Sequence, residues 1–325
     1  MALAQLIAPL LLGILAFHKP SVTAAELSYN FYKTRCPQLE EIVKKKSLEL
    51  YNIHGNFATS SIRNLFHDCG CSGCDASILL DSVPGMESEK ESDNNFGQRN
   101  YKYFDVVKAE VELACPGTVS CADVLMLAGR EGVINLGGPY IPIKLGRRDA
   151  LFSRKEDADR ELVKKDADMD VVLEAFSRLG IDTEHAVAML GAHTIGRTHC
   201  RNLVQRLYPA VDPAINSEYA NYLKLRCPSS VTDDKMVEYS RNDRDTPMGF
   251  DNNYFNLILQ GKGHLKVDSD LTLDPRTKDY VTKFAQDNGY FYTKFGEAVK
   301  ILTEYKPLTG TEGEIRTVCR VANPK

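Results

Sequence analysis

Residues 61–81 read SIRNLFHDCGCSGCDASILLD, and the fold and chemistry of the chain are best approached from this stretch. Arg63 and His67 stand four residues apart, so on a helix both side chains leave the same face one turn apart. Phe66 lies between them in sequence and is placed to wall the same pocket. Asp68, Cys69, Cys71, Gly73, Cys74, Asp75 and Ser77 follow at once, setting hard oxygen ligands on a tight, glycine-bearing loop. A base beside a fixed cation, backed by an oxygen-rich cation site, outlines a catalytic arrangement.

The rest of the chain bounds what that site can serve. Its 325 residues carry 40 Lys and Arg against 44 Asp and Glu, a net charge of −4. That balance gives no electrostatic case for nucleic-acid binding, and the apolar fraction is that of a folded protein. Residues 3–17 are almost continuously apolar and run into the small residues Ser21 to Ala25. This predicts a secretory signal peptide over residues 1–25, although the start lacks Lys or Arg. The run is too short for a membrane span and is broken by His18-Lys19-Pro20, so no membrane association is expected after cleavage. Nine cysteines at widely spaced positions in a secreted chain argue for a disulfide framework with one thiol left over.

Apolar spacing predicts helices near residues 39–50, 56–68, 104–114 and 119–136. Others are expected at 168–179, at 182–193, and at 198–208, 251–260, 276–287 and 291–304. Residues 82–98 read as a loop, and the charged, apolar-poor segment 150–167 as a surface loop. No repeat, flexible linker or long alternating run appears. The expected fold is mainly α: one domain over residues 26–325, a helical bundle in two halves with few short strands.

With Arg63-Asn-Leu-Phe66-His67-Asp68-Cys69 and Gly73-Cys74-Asp75-Ala76-Ser77 in view, the chain resembles the secretory plant (class III) haem peroxidases. Leu190-Gly-Ala-His193-Thr-Ile-Gly-Arg-Thr-His-Cys200 is similar to that family's proximal haem-ligand signature. Val119-Ser-Cys121-Ala-Asp, Leu145-Gly-Arg-Arg-Asp149, Asp243-Arg-Asp-Thr246-Pro, Phe250-Asp-Asn252 and Pro307-Leu-Thr-Gly310 extend the likeness across essentially all of residues 26–325.

The resemblance implies one haem b held between a distal and a proximal half, with His193 as its axial ligand and Asp268 on the far nitrogen of that imidazole. Taken alone, a histidine in an apolar helix is more often a satisfied core residue, and Asp270 is a near neighbour of Asp268. On the distal side, His67 would act first as base and then as acid, and Arg63 would stabilise charge on the leaving oxygen. The family orients its distal histidine through an asparagine tied to a glutamate. Glu89 matches the glutamate, one residue is missing before Arg99, and Asn94 and Asn95 both remain in place for the asparagine, Asn95 being preferred.

Two calcium ions are also implied. The first would use Asp68, Asp75 and Ser77 side chains with carbonyls of Cys71 and Gly73. The second would use Thr194, Asp243, Thr246 and Asp251 with a carbonyl of Gly249. The alternative reading of these acids is as turn formers and caps. Disulfides carried over from the family are Cys36–Cys115, Cys69–Cys74, Cys121–Cys319 and Cys200–Cys227, leaving Cys71 unpaired. The longer loops would each contribute on the order of 3–5 kcal/mol in the chain-entropy account. A zinc knuckle around His67 is disfavoured because the spacing is too cramped.

Three departures from the family pattern stand out. Leu162-Val163 replaces the usual Leu-Pro step, which puts Val163 at the substrate channel. Ile141 stands where relatives carry Trp, and the chain has no Trp. No Asn-x-Ser/Thr sequon occurs, so N-glycosylation is expected to be absent.

The activity implied is reduction of hydrogen peroxide with oxidation of small phenolic donors in two one-electron steps through a ferryl haem. It would operate as a monomer in the extracellular space, cell wall or vacuole, in phenol coupling or peroxide removal. Two rivals stand beside it: a secreted calcium- and haem-binding scaffold of the same fold that has lost turnover, and a metal-dependent hydrolase built on His67, Asp68 and Asp75.

Overall fold

The computed structural model describes residues 26–230 and 238–324. The expected signal peptide at residues 1–25 lies outside the described residues. Helices dominate, and the strands among the described residues form a single two-stranded antiparallel ribbon, Arg197–His199 with Tyr239–Arg241.

The distal half is built from helices Leu39–Ile53, Phe57–Cys71, Tyr101–Ala114 and Cys121–Asn135. The last is buried from Cys121 to Val133, so it has no solvent face, and its buried charges Asp123 and Arg130 are paired with Arg147 and Glu131. Ser120 caps it by accepting from the Asp123 N–H. Its Gly132 lets the His67 helix come close: a Cβ there would sit 2.6 Å from the Ala58 carbonyl oxygen. The two motifs Val119–Asp123 and Leu145–Asp149 fasten on each other. Asp123 accepts from Arg147 Nη1 at 2.8 Å, from the backbone N–H groups of Gly146 and Arg147, and from the Tyr32 hydroxyl. Asp149 accepts from the N–H groups of Cys121, Ala122 and Arg316. These buried charges are paired and hydrogen-bonded, the condition under which burial is tolerated.

The proximal half comprises helices Met169–Arg178, Thr183–Leu190, Asn253–Leu259, Lys266–Leu273, Lys278–Gln286 and Asn288–Thr303. Phe250, Phe255, Phe284, Phe291 and Phe295 fill its centre, each at most 1% exposed. Ring centroids 4.8–6.1 Å apart place them in tilted, stacked and edge-on pairs. Disulfides join Cys36–Cys115, Cys69–Cys74, Cys121–Cys319 and Cys200–Cys227, and Cys71 is a buried free thiol.

Five segments differ from the sequence reading. The His67 helix runs on to Cys71, so Asp68 and Cys69 leave a helix and only the residues after it form the loop. Residues 150–167 are not all loop, since Lys155–Glu161 is helical. The segment 198–208 is no single helix: a strand, a 3-10 turn at Cys200–Asn202 and the short helix Val204–Leu207 share it. Helices Ser217–Arg226 and Lys266–Leu273 were not expected.

Candidate active site

Arg63 and His67 project from the helix Phe57–Cys71, and His193 lies near enough for its charge to act on His67. Asn95, 2% exposed, fixes the distal ring. Its Nδ2 donates to the Glu89 carbonyl oxygen at 2.7 Å, which turns its Oδ1 toward His67 Nδ1, also at 2.7 Å. The amide can therefore only accept there, so His67 carries its proton on Nδ1 and presents the Nε2 lone pair. Arg63 Nε donates to that Nε2 at 3.1 Å, and its Nη1 to the Phe96 carbonyl at 3.3 Å. Burial, then the Arg63 charge, hold the His67 imidazole well below its ordinary value, with a smaller contribution from the His193 charge. The crowded surroundings also lower the Arg63 guanidinium to about 10, leaving it charged at neutral pH. Phe66 lies edge-on to His67, ring centroids 5.8 Å apart, and packs on Phe176.

Asn94 takes no part in this. Its Nδ2 donates to the carbonyls of Ala158 and Leu162, tying the 3-10 turn Asp93–Asn95 to the helix Lys155–Glu161. Glu89 receives the Asn95 bond through its backbone. Its own carboxyl is buried, pushed up to about 7 by that burial, and its Oε2 lacks a hydrogen-bond partner. Val163 lies with Leu162, Phe66, Cys71, Phe176 and Tyr305 around a cavity behind Phe66. Burial raises the Cys71 thiol pKa.

His193 stands on a 3-10 turn, Gly191–Thr194, just beyond the end of the helix Thr183–Leu190. Gly191 makes the turn possible, because a Cβ there would lie 2.5 Å from Phe291 Cε2 and 2.8 Å from Phe255 Cζ. His193 Nδ1 is 2.8 Å from Asp268 Oδ1, and the Tyr254 hydroxyl donates to the same oxygen at 2.9 Å. Asp268 Oδ2 accepts from the Leu265 N–H at 2.8 Å. Burial pushes the Asp268 carboxyl up, but His193 and these donors outweigh it and hold the group below its ordinary range. The His193 side chain is 32% exposed where that of Asp268 is 4%. The exposed part of the imidazole is thus its far edge, with Nε2. Asp270 pairs instead with Lys266.

The two oxygen-rich sets also assemble. Asp68 accepts from the Ala76 N–H at 2.9 Å, and Asp75 Oδ1 from the Ser77 N–H at 3.0 Å, folding Ser72–Ser77 around the end of the His67 helix. Burial raises the pKa of both carboxyls, and Ser77 Oγ is buried without a hydrogen-bond partner. On the proximal side, Thr194 Oγ1 donates to Asp251 Oδ1 and Thr246 Oγ1 to Asp243 Oδ2, at 3.2 and 3.0 Å. The Gly249 N–H donates to the Thr246 carbonyl in the same turn. Among the described residues no three His, Cys, Asp or Glu side chains converge as a metal-holding group. That leaves the hydrolase and zinc readings without a ligand set, while a site of two carboxylates completed by hydroxyl and carbonyl oxygens is untouched by it.

Sequence reasoning missed Tyr254 and Arg206. Nothing in the spacing of either signals its contacts, which run to residues brought in by the tertiary fold.

A family model described as "Peroxidase" matches residues 39–287. Peroxidase 42 of Arabidopsis thaliana is 49% identical over 321 residues, covering 98% of this chain and 97% of its own length. Peroxidase 21 of the same plant is 49% identical over 299 residues, 92% of this chain and 91% of its own. Peroxidase C1B of Armoracia rusticana is 37% identical over 322 residues, 96% and 91% of the two chains. Matches of this extent, over a site of this geometry, make the chain a member of the peroxidase family, in its plant class III haem branch.

Proposed function

We propose that this peroxidase binds haem b between His67 and His193, and that His193 Nε2 would be the atom that holds its iron. The observation that carries this is the pair of imidazoles that sense each other's charge, each with Nδ1 tied back, His67 to Asn95 and His193 to Asp268. The donor set suits the group: a carboxylate on the far nitrogen of a ligating histidine fixes its tautomer and raises its basicity. Haem, when bound, supplies the iron centre that peroxide oxidises by two electrons and that two one-electron donors restore.

The chain's own residues handle the protons. His67 Nε2 is unprotonated near neutral pH, so it can take the proton from the nearer peroxide oxygen and return it to the farther one. Arg63, held by His67 and the Phe96 carbonyl, is a fixed donor for negative charge on the departing oxygen. Asn95 keeps Nε2 and not Nδ1 as the working nitrogen. Glu89 holds Asn95 through its carbonyl. Phe66 and Phe176 wall the side of the cleft near Val163, and small phenolic donors meeting an exposed cofactor edge need no tighter pocket.

Two calcium ions are proposed at the oxygen-rich sets, supported by the unpartnered Ser77 hydroxyl and by the paired buried carboxyls Asp68 and Asp75. Secretion as a monomer is the corresponding localisation, with residues 1–25 as the signal peptide. Four disulfides in one domain suit an oxidising compartment. No helix among the described residues is long and apolar enough to cross a membrane.

The test is the absorption spectrum of the purified protein before and after one equivalent of hydrogen peroxide, then after a phenol such as guaiacol. A Soret band that shifts and recovers is expected. A band that ignores peroxide would favour the turnover-deficient scaffold, and absence of haem in correctly oxidised, calcium-loaded protein would overturn the reading.

A further inference from the structure

Arg206 is 6% exposed, lies on the short helix Val204–Leu207 and touches none of the groups assigned to catalysis. Its guanidinium nevertheless gathers acceptors from one place. The two hydrogens of Nη1 are shared among three consecutive carbonyls, Gly263 at 3.1 Å, His264 at 2.7 Å and Leu265 at 2.7 Å. Nη2 donates to Ser269 Oγ at 2.8 Å, and Nε to Asp212 Oδ2 at 2.9 Å. Those carbonyls and that hydroxyl bracket the start of the helix Lys266–Leu273, whose third residue is Asp268.

We infer that Arg206 is a positioning residue for the axial histidine, acting through Asp268. The path is continuous and short. Arg206 Nη1 holds the His264 carbonyl, which shares its peptide with the Leu265 N–H; that N–H donates to Asp268 Oδ2; Asp268 Oδ1 accepts from His193 Nδ1. A planar fork with five donors is the one side chain able to span this set while keeping its charge. Asp212 orients the guanidinium from the opposite side. The approach is close enough that a Cβ on Gly263 would lie 2.8 Å from the Asp268 Cβ, so the segment leading into the helix cannot shift without moving the carboxylate. Without Arg206, three adjacent carbonyls lose their common donor and the Asp268 carboxylate loses its register against the imidazole. The hydrogen bond that makes His193 electron-rich then weakens.

This inference rests on His193 as axial ligand, and the experiment separates the two. The iron–histidine vibration of the ferrous haem-loaded protein is recorded for the unsubstituted chain, Arg206→Met, Arg206→Lys and Asp268→Asn, and for Arg206→Met combined with Asp268→Asn. A purely structural role would leave that band in place. Arg206→Met is expected to move it to lower frequency, Arg206→Lys to move it less, and the double variant to coincide with Asp268→Asn alone. Reaction with peroxide should slow roughly tenfold in Arg206→Met, the lower end for residues that orient a metal ligand. Should Arg206→Met fail to fold, Ser269→Ala removes one acceptor and is expected to give a smaller shift of the same sign. A band present but unmoved in the Arg206 variants would overturn the relay alone, as would equal shifts with and without Asp268. Absence of any iron–histidine band in the unsubstituted protein would remove the axial assignment and the relay together.

Discussion

Replacing Asn95 by Ala tests the distal site at its most specific joint. The substitution removes the acceptor 2.7 Å from His67 Nδ1 and the donor on the Glu89 carbonyl. A buried N–H left without a partner costs about 1–3 kcal/mol, and the imidazole is free to place its proton on Nε2, where it is useless as a base. At about 1.4 kcal/mol per tenfold in rate, the reaction with peroxide should slow by roughly 5- to 150-fold. His67→Leu, which removes the proton carrier, should lose about 10²–10⁴-fold, and the Asn95 effect must stay below it. The pH profile adds a sign. His67 sits well below its ordinary value and Asn95 is what pulls it upward. The unsubstituted rate should therefore be level through the neutral range and fall only in acid. Asn95→Ala should move that acid limb further down. Asn95→Asp, which sets a carboxylate against the same nitrogen, should move it up toward neutrality. Stopped-flow mixing of the haem-loaded protein with peroxide, followed at the Soret band across pH, reads all three. A full-speed Asn95→Ala with an unaltered profile would refute the assignment of Asn95 as the group that orients His67.

Other outcomes follow from the same geometry. Chelation of calcium should remove the ~3 kcal/mol of stability expected of a ligand held near 100 times its Kd and so lower the thermal midpoint, and Asp68→Asn should weaken recovery on adding calcium back; identical melting in chelator and calcium would count against both ion sites. His264, 2% exposed beside Tyr219 and Ser240, is pushed down to about 4 by burial. Between its ordinary ~6.5 and about 4 the unfolded chain binds the extra proton, so stability falls with pH over that window by on the order of 3 kcal/mol. His264→Gln should flatten this part of a denaturant titration, and an unchanged slope would refute it. Gly191→Ala must displace two buried phenyl rings, at a typical overpacking cost of about 1–3 kcal/mol; a fully stable variant with undisturbed haem retention would contradict the tight turn. The Cys71 thiol, buried and with its pKa raised, should resist alkylation at pH 8 until the chain is denatured, when a single equivalent should react.

What the residue pattern disclosed, and what it withheld, divides by the range of the determining contacts. Arg63 and His67 share a face because helical spacing is local, and a sequence displays that directly. The helix Lys155–Glu161 was hidden because it has no apolar stripe. A single fully buried residue, Ala158, anchors it, and the remainder is held by Ser92 and Asn94 from a distant turn. The segment after His193 carries Leu203, Val204 and Leu207 at helical spacing, yet Arg197–His199 pairs with Tyr239–Arg241 forty residues on, and tertiary pairing overrides a weak local preference. The choice between Asn94 and Asn95 is of the same kind. Two adjacent amides are alike in sequence, and only the 3-10 turn through Asp93–Asn95 sends one toward His67 and the other toward Ala158 and Leu162.

Asp268 and Asp270 show why a motif can name a residue without locating its cause. Two positions apart on a helix they cannot face the same way, so once one is turned to His193 the other must meet Lys266 near the surface. The turning is done at the helix start, where Asp268 accepts from the Leu265 N–H and Arg206 holds the preceding carbonyls. The identity of the carboxylate is thus legible in a short run of sequence. Its orientation depends on an arginine some sixty residues earlier, whose neighbours Leu207 and Leu203 look like ordinary core. The hold of Asp268 on the His193 imidazole is therefore a property of three separated segments, 193, 206 and 263–269, and a substitution in any one of them should be read first at the imidazole and only then at turnover.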